Sequence, residues 1–72
     1  MKRLRERFGF TKTEAEVAVG LVEGLSYAGI ARKLGVSYHT IHTHIKAIHT
    51  KTGVATTGQL IALVRGALNV ER

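Results

Sequence analysis

The chain contains no proline. Its helices must therefore be started by side-chain caps and stopped by glycines, and those marks fall at four places. "TKTE" is a capping box in which Thr11 accepts from a first-turn N–H while Glu14 reaches back. Val17, Ala18, Leu21, Val22 and Leu25 follow at helical spacing, with Gly24 as the stop. Ser26 caps a second, short helix that buries Ile30, Ala31 and Leu34 and ends at Gly35. Ser37 caps a third, which runs to Thr52 with Gly53 behind it. "TTGQ" places Thr56 as the N-cap of a fourth, with Gln59 at the capping-box position. Leu60, Ile61, Leu63, Val64, Ala67 and Leu68 follow. No segment alternates with the period of a strand. The expected fold is all-α, a four-helix domain over residues 10–72 with helices at about 11–24, 27–34, 38–52 and 57–68. Residues 1–9 form a basic lead-in: a linker remnant, a phosphate-touching arm or the start of the first helix.

The middle pair is the informative one. Only Gly35 and Val36 separate the end of the short helix from the cap of the next. A glycine in so tight a turn between two helices marks a helix-turn-helix. Gly35 supplies a left-handed residue, and Val36 is expected to plug the core at the turn.

Seventy-two residues without cysteine exclude disulfides and thiolate metal sites. At this size the fold stands on packing alone, which makes self-association plausible. No apolar run approaches the roughly 18 residues of a membrane span, and nothing behind the basic start reads as a signal peptide. Eleven Lys and Arg against five acids give a net charge of +6. Such a balance favours an anionic partner, most often nucleic acid.

All four histidines lie between Val36 and Thr50. With Ile41 at zero on a wheel of roughly 100° per residue, Ile45, Ile48 and Thr52 lie within about 40° of it and form the core stripe. His39, His42, Thr43, Lys46 and Thr50 take the opposite face. Thr40, His44 and Lys51 take one flank and His49 the other. His42 and His44 are about 200° apart and cannot share an ion. His39 and His42 could, but no acid or thiol on this helix completes a site, so no metal or other cofactor is expected. Catalysis is not expected either: the chain has no Cys or Asp, and no Glu near these histidines to orient a base. What remains is a polar, carboxylate-free outer face of His, Thr and Lys, suited to base edges and phosphates in a major groove.

From Phe10 to Leu68 the chain resembles the LuxR/GerE-type helix-turn-helix domain of bacterial transcription regulators. The family pattern "LTxxExEVxxxxxxGLSxxEIAxxLxxSxxTVxxHxxxIxxK" runs without a gap against "FTKTEAEVAVGLVEGLSYAGIARKLGVSYHTIHTHIKAIHTK". Matches include Thr11, Glu14, Glu16, Val17, Gly24, Leu25, Ser26, Ile30, Ala31, Leu34, Ser37, Thr40, His44, Ile48 and Lys51. The resemblance implies sequence-specific binding of double-stranded DNA by a cytoplasmic, bacterial, nucleoid-associated regulator. It carries base reading onto His42, Thr43 and Lys46, and phosphate contacts onto Ser37, Thr40 and Lys51. Tyr38 and His39 open the same helix and reach the sugar–phosphate. Arg32 and Lys33 add charge that neutralises phosphates. The last helix is implied to supply a homodimer contact, formed at least on DNA, and Leu60, Val64 and Ala67 are the expected outward rim. The alternative is an interaction module of the same shape that does not bind DNA.

Departures from the pattern are Gly29 for a glutamate, Gly20 and Ala18 for larger aliphatics, and Thr13 and Thr57 for arginines. Gly29 removes the capping partner of Ser26, and the small residues predict a thinner or closer-packed first helix.

Overall fold

The computed structural model describes residues 2–70. Met1, at the head of the expected lead-in, and Glu71 and Arg72, at the end of the expected domain, lie outside the described residues. Five helices follow one another: α1 (Lys2–Phe8), α2 (Lys12–Val22), α3 (Tyr27–Leu34), α4 (Tyr38–Thr52) and α5 (Thr57–Val70). The all-α class and the central helix-turn-helix are as the sequence predicts. The fifth helix is α1, where a lead-in was expected. Its sequence carries one short apolar pair, Leu4 and Phe8, spaced one turn apart. Leu4 is fully buried, Phe8 packs on the core, and α1 rests on α2 and α5. Burial of that pair, not helix propensity, holds so short a helix.

The caps work as their residue types require. Thr11 Oγ1 accepts from the Glu14 amide at 3.1 Å while Glu14 Oε1 accepts from the Thr11 amide at 2.9 Å. Ser26 Oγ accepts from the Gly29 amide at 3.0 Å, and Ser37 Oγ from the Thr40 amide at 3.1 Å. Thr56 and Gln59 complete a second reciprocal box, with the Thr56 and Ala55 amides both donating to Gln59 Oε1. Gly35 closes α3 at φ 70°, and the Val36 amide returns to Ala31 O at 3.0 Å. An L side chain at that φ would be strained. Val36 itself is 37% exposed and does not plug the core. The buried aliphatics on the helices either side of the turn are Ile30 and Ile41 instead.

α2 is the central helix and packs on α3, α4 and α5. Val17, Ile30, Ile41, Ile48, Leu60 and Val64 meet at the core and are all but inaccessible. Where α2 faces α3 the small residue permits close approach: a Cβ built on Gly20 would lie 2.9 Å from Ile30 Cγ1. The small residue at position 20 is thus answered by tighter packing, with Ile30 filling the space.

On α5 the sequence expectation is reversed. Leu60, Val64 and Ala67 do not form an outward rim; at 0%, 0% and 7% exposure they are the inner stripe of the helix. They recur one turn apart and lie on α2, which places them in the core. Ala62, Arg65, Gly66 and Asn69 are exposed instead.

Candidate nucleic-acid interface

α4 is held by its isoleucines. Ile41, Ile45 and Ile48 are buried, so the opposite face must look outward, and His39, His42, Thr43, Lys46 and Thr50 are all exposed on it. No carboxylate stands on this helix. His44 is half-buried on the flank, and His49 Nδ1 lies 3.0 Å from Val54 O. A carbonyl only accepts, so Nδ1 carries the proton there. Thus two of the four histidines serve packing and the helix end, and two, His39 and His42, are free on the outer face. Among the described residues no three His, Asp or Glu side chains converge on a point.

The hydroxyls on this face have restricted chemistry. Thr43 Oγ1 donates to His39 O at 3.2 Å and Thr50 Oγ1 to Lys46 O at 3.1 Å. With their protons used inside the helix, these residues offer a partner a methyl group and an acceptor lone pair. At the helix start, Ser37 Oγ and Thr40 Oγ1 lie 2.9 Å apart. One of the two donates to the other, so the pair has a single hydroxyl proton to give outward. Beside it stand the first amides of α4, those of Tyr38 and His39, which no intrahelical carbonyl can reach. A free hydroxyl, two amides and the positive end of a 15-residue helix together suit a phosphate oxygen.

Tyr38 is 56% exposed, yet its position is constrained. Its ring lies 6.1 Å from that of Tyr27, tilted by 43°, and the Tyr27 hydroxyl lies 3.3 Å from Thr57 Oγ1. This chain of contacts ties the start of α4 to the start of α5. Thr57, standing where the family pattern has arginine, here bonds inside the domain.

Lys51 departs from expectation. Its ammonium does not stand free for a phosphate: it pairs with Glu14 Oε1 and also donates to Gly9 O at 3.0 Å. Two of its three protons are bound within the molecule, and the charge is met by a carboxylate. The physical reason is Glu14, which at 5% exposure is the buried charged residue of the core and requires a cation. Burial pushes the Glu14 carboxyl up. The hydrogen bonds from Lys51 and the Thr11 amide, with the charges of Lys51 and His44, outweigh burial and hold it below the ordinary glutamate range. Glu14 is thus legible in the sequence as a cap and not as the partner of a residue 37 positions away.

Of the other cations near the interface, Lys33 pairs with Glu23 at 3.1 Å on an exposed surface, and Arg32 is exposed at the end of α3. Among the described residues no helix is long and apolar enough to cross a membrane.

The family model for bacterial regulatory proteins of the luxR family matches residues 9–64, from the end of α1 to the middle of α5. The chain belongs to the luxR family. That is a family of DNA-binding transcription regulators of helix-turn-helix type, not of enzymes. Two curated relatives, candidate HTH-type transcriptional regulators of Mycobacterium bovis and Mycobacterium tuberculosis, are each 41% identical over 51 residues. The match covers 71% of this chain and only 6% of each relative's length. No solved structure matches the chain.

Proposed function

We propose that this luxR-family domain binds duplex DNA sequence-specifically by laying α4 in the major groove, as part of a bacterial transcription regulator acting in the cytoplasm on the nucleoid. One observation carries this: the exposed side of α4 is a continuous carboxylate-free face of His39, His42, Thr43, Lys46 and Thr50, opposite a fully buried isoleucine stripe. A carboxylate there would repel the phosphate-walled groove; these groups do not.

Base reading falls to His42, Thr43 and Lys46. Lys46 donates to guanine O6 or N7, His42 donates to a purine N7, and Thr43 presents its methyl to thymine or its lone pair to a cytosine amine. Ser37, Tyr38, His39 and Thr40 set the register through the phosphate beside the helix start. Lys51 instead serves the fold.

One such helix reads only a few base pairs, too few for useful selectivity in a genome. Two copies on a two-fold site place half-sites about one helical turn apart. Leu60, Val64 and Ala67 are unavailable for that pairing.

Selection from a randomised duplex pool, followed by titration of the selected site, tests the proposal. Thr43→Ala together with Lys46→Ala should abolish preference for the selected site while the helical signal and the melting temperature stay as in the parent. Full retention of that preference would show that α4 is not the reading helix. A parent chain that retrieves no duplex at all would favour an interaction module instead.

A further inference from the structure

Two cations outside α4, Arg7 and Lys12, border the turn between α1 and α2. α1 ends at Phe8 and α2 begins at Lys12, and Gly9 stands in the turn between them. The Gly9 carbonyl accepts from Lys51 Nζ at 3.0 Å. That bond brings the corner against the last turn of α4, on the flank that also carries Thr40 and His44 at about 100° per residue. Arg7 and Lys12 border the turn, both exposed. Neither has a carboxylate in ion-pair range among the described residues, where the ion pairs are Lys33–Glu23 and Lys51–Glu14.

Arg7, in the last turn of α1, stands where the helix dipole favours a cation, but the placement of Lys12 is one that folding alone does not explain. Lys12 is the first residue of α2, where the helix dipole repels a cation and an acid is the ordinary occupant. Arg7 lies over the Phe8 ring with its guanidinium 5.5 Å from the centroid, which restrains the side chain without neutralising it. A cost at Lys12 that no ion pair offsets, next to an unpaired Arg7 and beside a helix proposed to enter a groove, points to an external anion.

We propose that Arg7 and Lys12 form a second backbone-binding point, taking DNA phosphates on the strand that borders the Thr40–His44–Lys51 flank of α4. The site rests on the duplex-binding reading above and extends it. It also accounts for Lys51, whose charge is spent on Glu14 and whose remaining bond anchors the corner. The arginine offers a planar fork to two phosphate oxygens and the lysine a point charge.

The test is the salt dependence of affinity for the selected duplex, compared between the parent chain, Arg7→Gln with Lys12→Gln, and Arg65→Gln. Each phosphate contact contributes about 0.9 to the slope of log affinity against log salt. The double variant should therefore lose about 1.8 from that slope for each bound copy, a roughly tenfold smaller loss of affinity per copy between about 50 and about 200 mM salt. Its ratio of affinities for selected and scrambled duplexes should not change. Arg65→Gln removes an exposed charge from α5 and should leave the slope as it is. An unaltered slope in the double variant overturns this site while leaving the groove reading standing. An equal drop in Arg65→Gln also overturns it, because net charge would then explain the effect. A parent chain that binds no duplex at low salt removes the groove reading and this site together.

Discussion

Lys51, in the last turn of α4, and Glu14, in the first turn of α2, form an ion pair in which the carboxylate is almost wholly buried and the ammonium keeps about a third of its side-chain surface in water (33% against 7%). The pair joins the helix that carries the candidate reading face to the helix at the centre of the core. Because Lys51 also holds Gly9, one side chain ties the turn between α1 and α2, the start of α2 and the end of α4 at a single point. The orientation of α4 thus rests on an electrostatic contact as well as on its isoleucines.

Removing one partner of a buried pair costs about 3–5 kcal/mol, because the other charge is left uncompensated. Water reaches Lys51, so we expect Lys51→Met to destabilise the domain by less, about 2 kcal/mol. Glu14→Gln keeps the oxygen that caps Thr11 and should cost about 1 kcal/mol, the scale of one hydrogen bond. Urea unfolding of the three chains measures both. Equal stability of Lys51→Met and the parent would mean that the pair contributes nothing.

The same pair sets a pH dependence. The Glu14 carboxyl is held below its ordinary value, so the folded state binds the proton more weakly than the unfolded chain does. Its contribution is present in full above the unfolded glutamate value near 4.3 and is lost as pH falls through the lower folded value. Stability from this group should stay flat between about pH 7 and about pH 5 and fall in acid. In Glu14→Gln the acid limb should be shallower. Unfolding midpoints followed down through the acid range decide it, and identical acid limbs in the two chains would assign the effect to other carboxylates.

The contact between Gly20 and Ile30 makes a third prediction. A methyl at position 20 meets Ile30 Cγ1 at 2.9 Å and Cδ1 at 3.2 Å, inside normal packing distance. The gain of up to about 1 kcal/mol that Gly→Ala brings to a helix is then opposed by overpacking of about 1–3 kcal/mol. Gly20→Ala should be destabilising by about 1 kcal/mol on balance. Ile30→Ala alone should cost about 2–5 kcal/mol. In the double variant the new methyl has room, so the two losses should sum to at least about 1 kcal/mol more than is observed. Strict additivity would show that α2 and α3 move apart freely.

Much of this architecture can be read from local chemistry. The bounds of α3 and α4 follow from Ser26, Gly35, Ser37 and Gly53, each of which acts on its own neighbours. The outward set on α4 is legible because Ile41, Ile45 and Ile48 are the large aliphatics of an otherwise mostly polar helix. What is not legible depends on tertiary contact. α1 has only Leu4 and Phe8 to declare it, too little periodicity to distinguish it from an arm. α5 carries Leu60, Ile61, Leu63, Val64, Ala67 and Leu68 over an arc of about 160° at roughly 100° per residue, wide enough for a buried stripe beside an outer rim, so the apolar pattern alone does not say which residues do which. Leu60, Val64 and Ala67, at the middle of that arc, are the buried ones. Lys51 reads as a free cation because its partner is distant in sequence.

The last prediction concerns what Thr43 offers a base. Its hydroxyl proton is donated to His39 O, so toward a groove it presents a methyl group and an acceptor. If the methyl makes the contact, as it would against a thymine, Thr43→Val keeps it and should bind the selected duplex within about threefold of the parent. Thr43→Ser keeps the oxygen and loses the methyl, and should fall with Thr43→Ala by about 1 kcal/mol or more, the lower end of a specific base contact. The reverse order, with serine close to the parent and valine close to alanine, would assign the contact to the lone pair and a cytosine amine. Each substitution lies on an exposed position of α4, so melting curves of the free domain should differ by far less than the affinities do. Four chains that bind alike would remove Thr43 from the reading face.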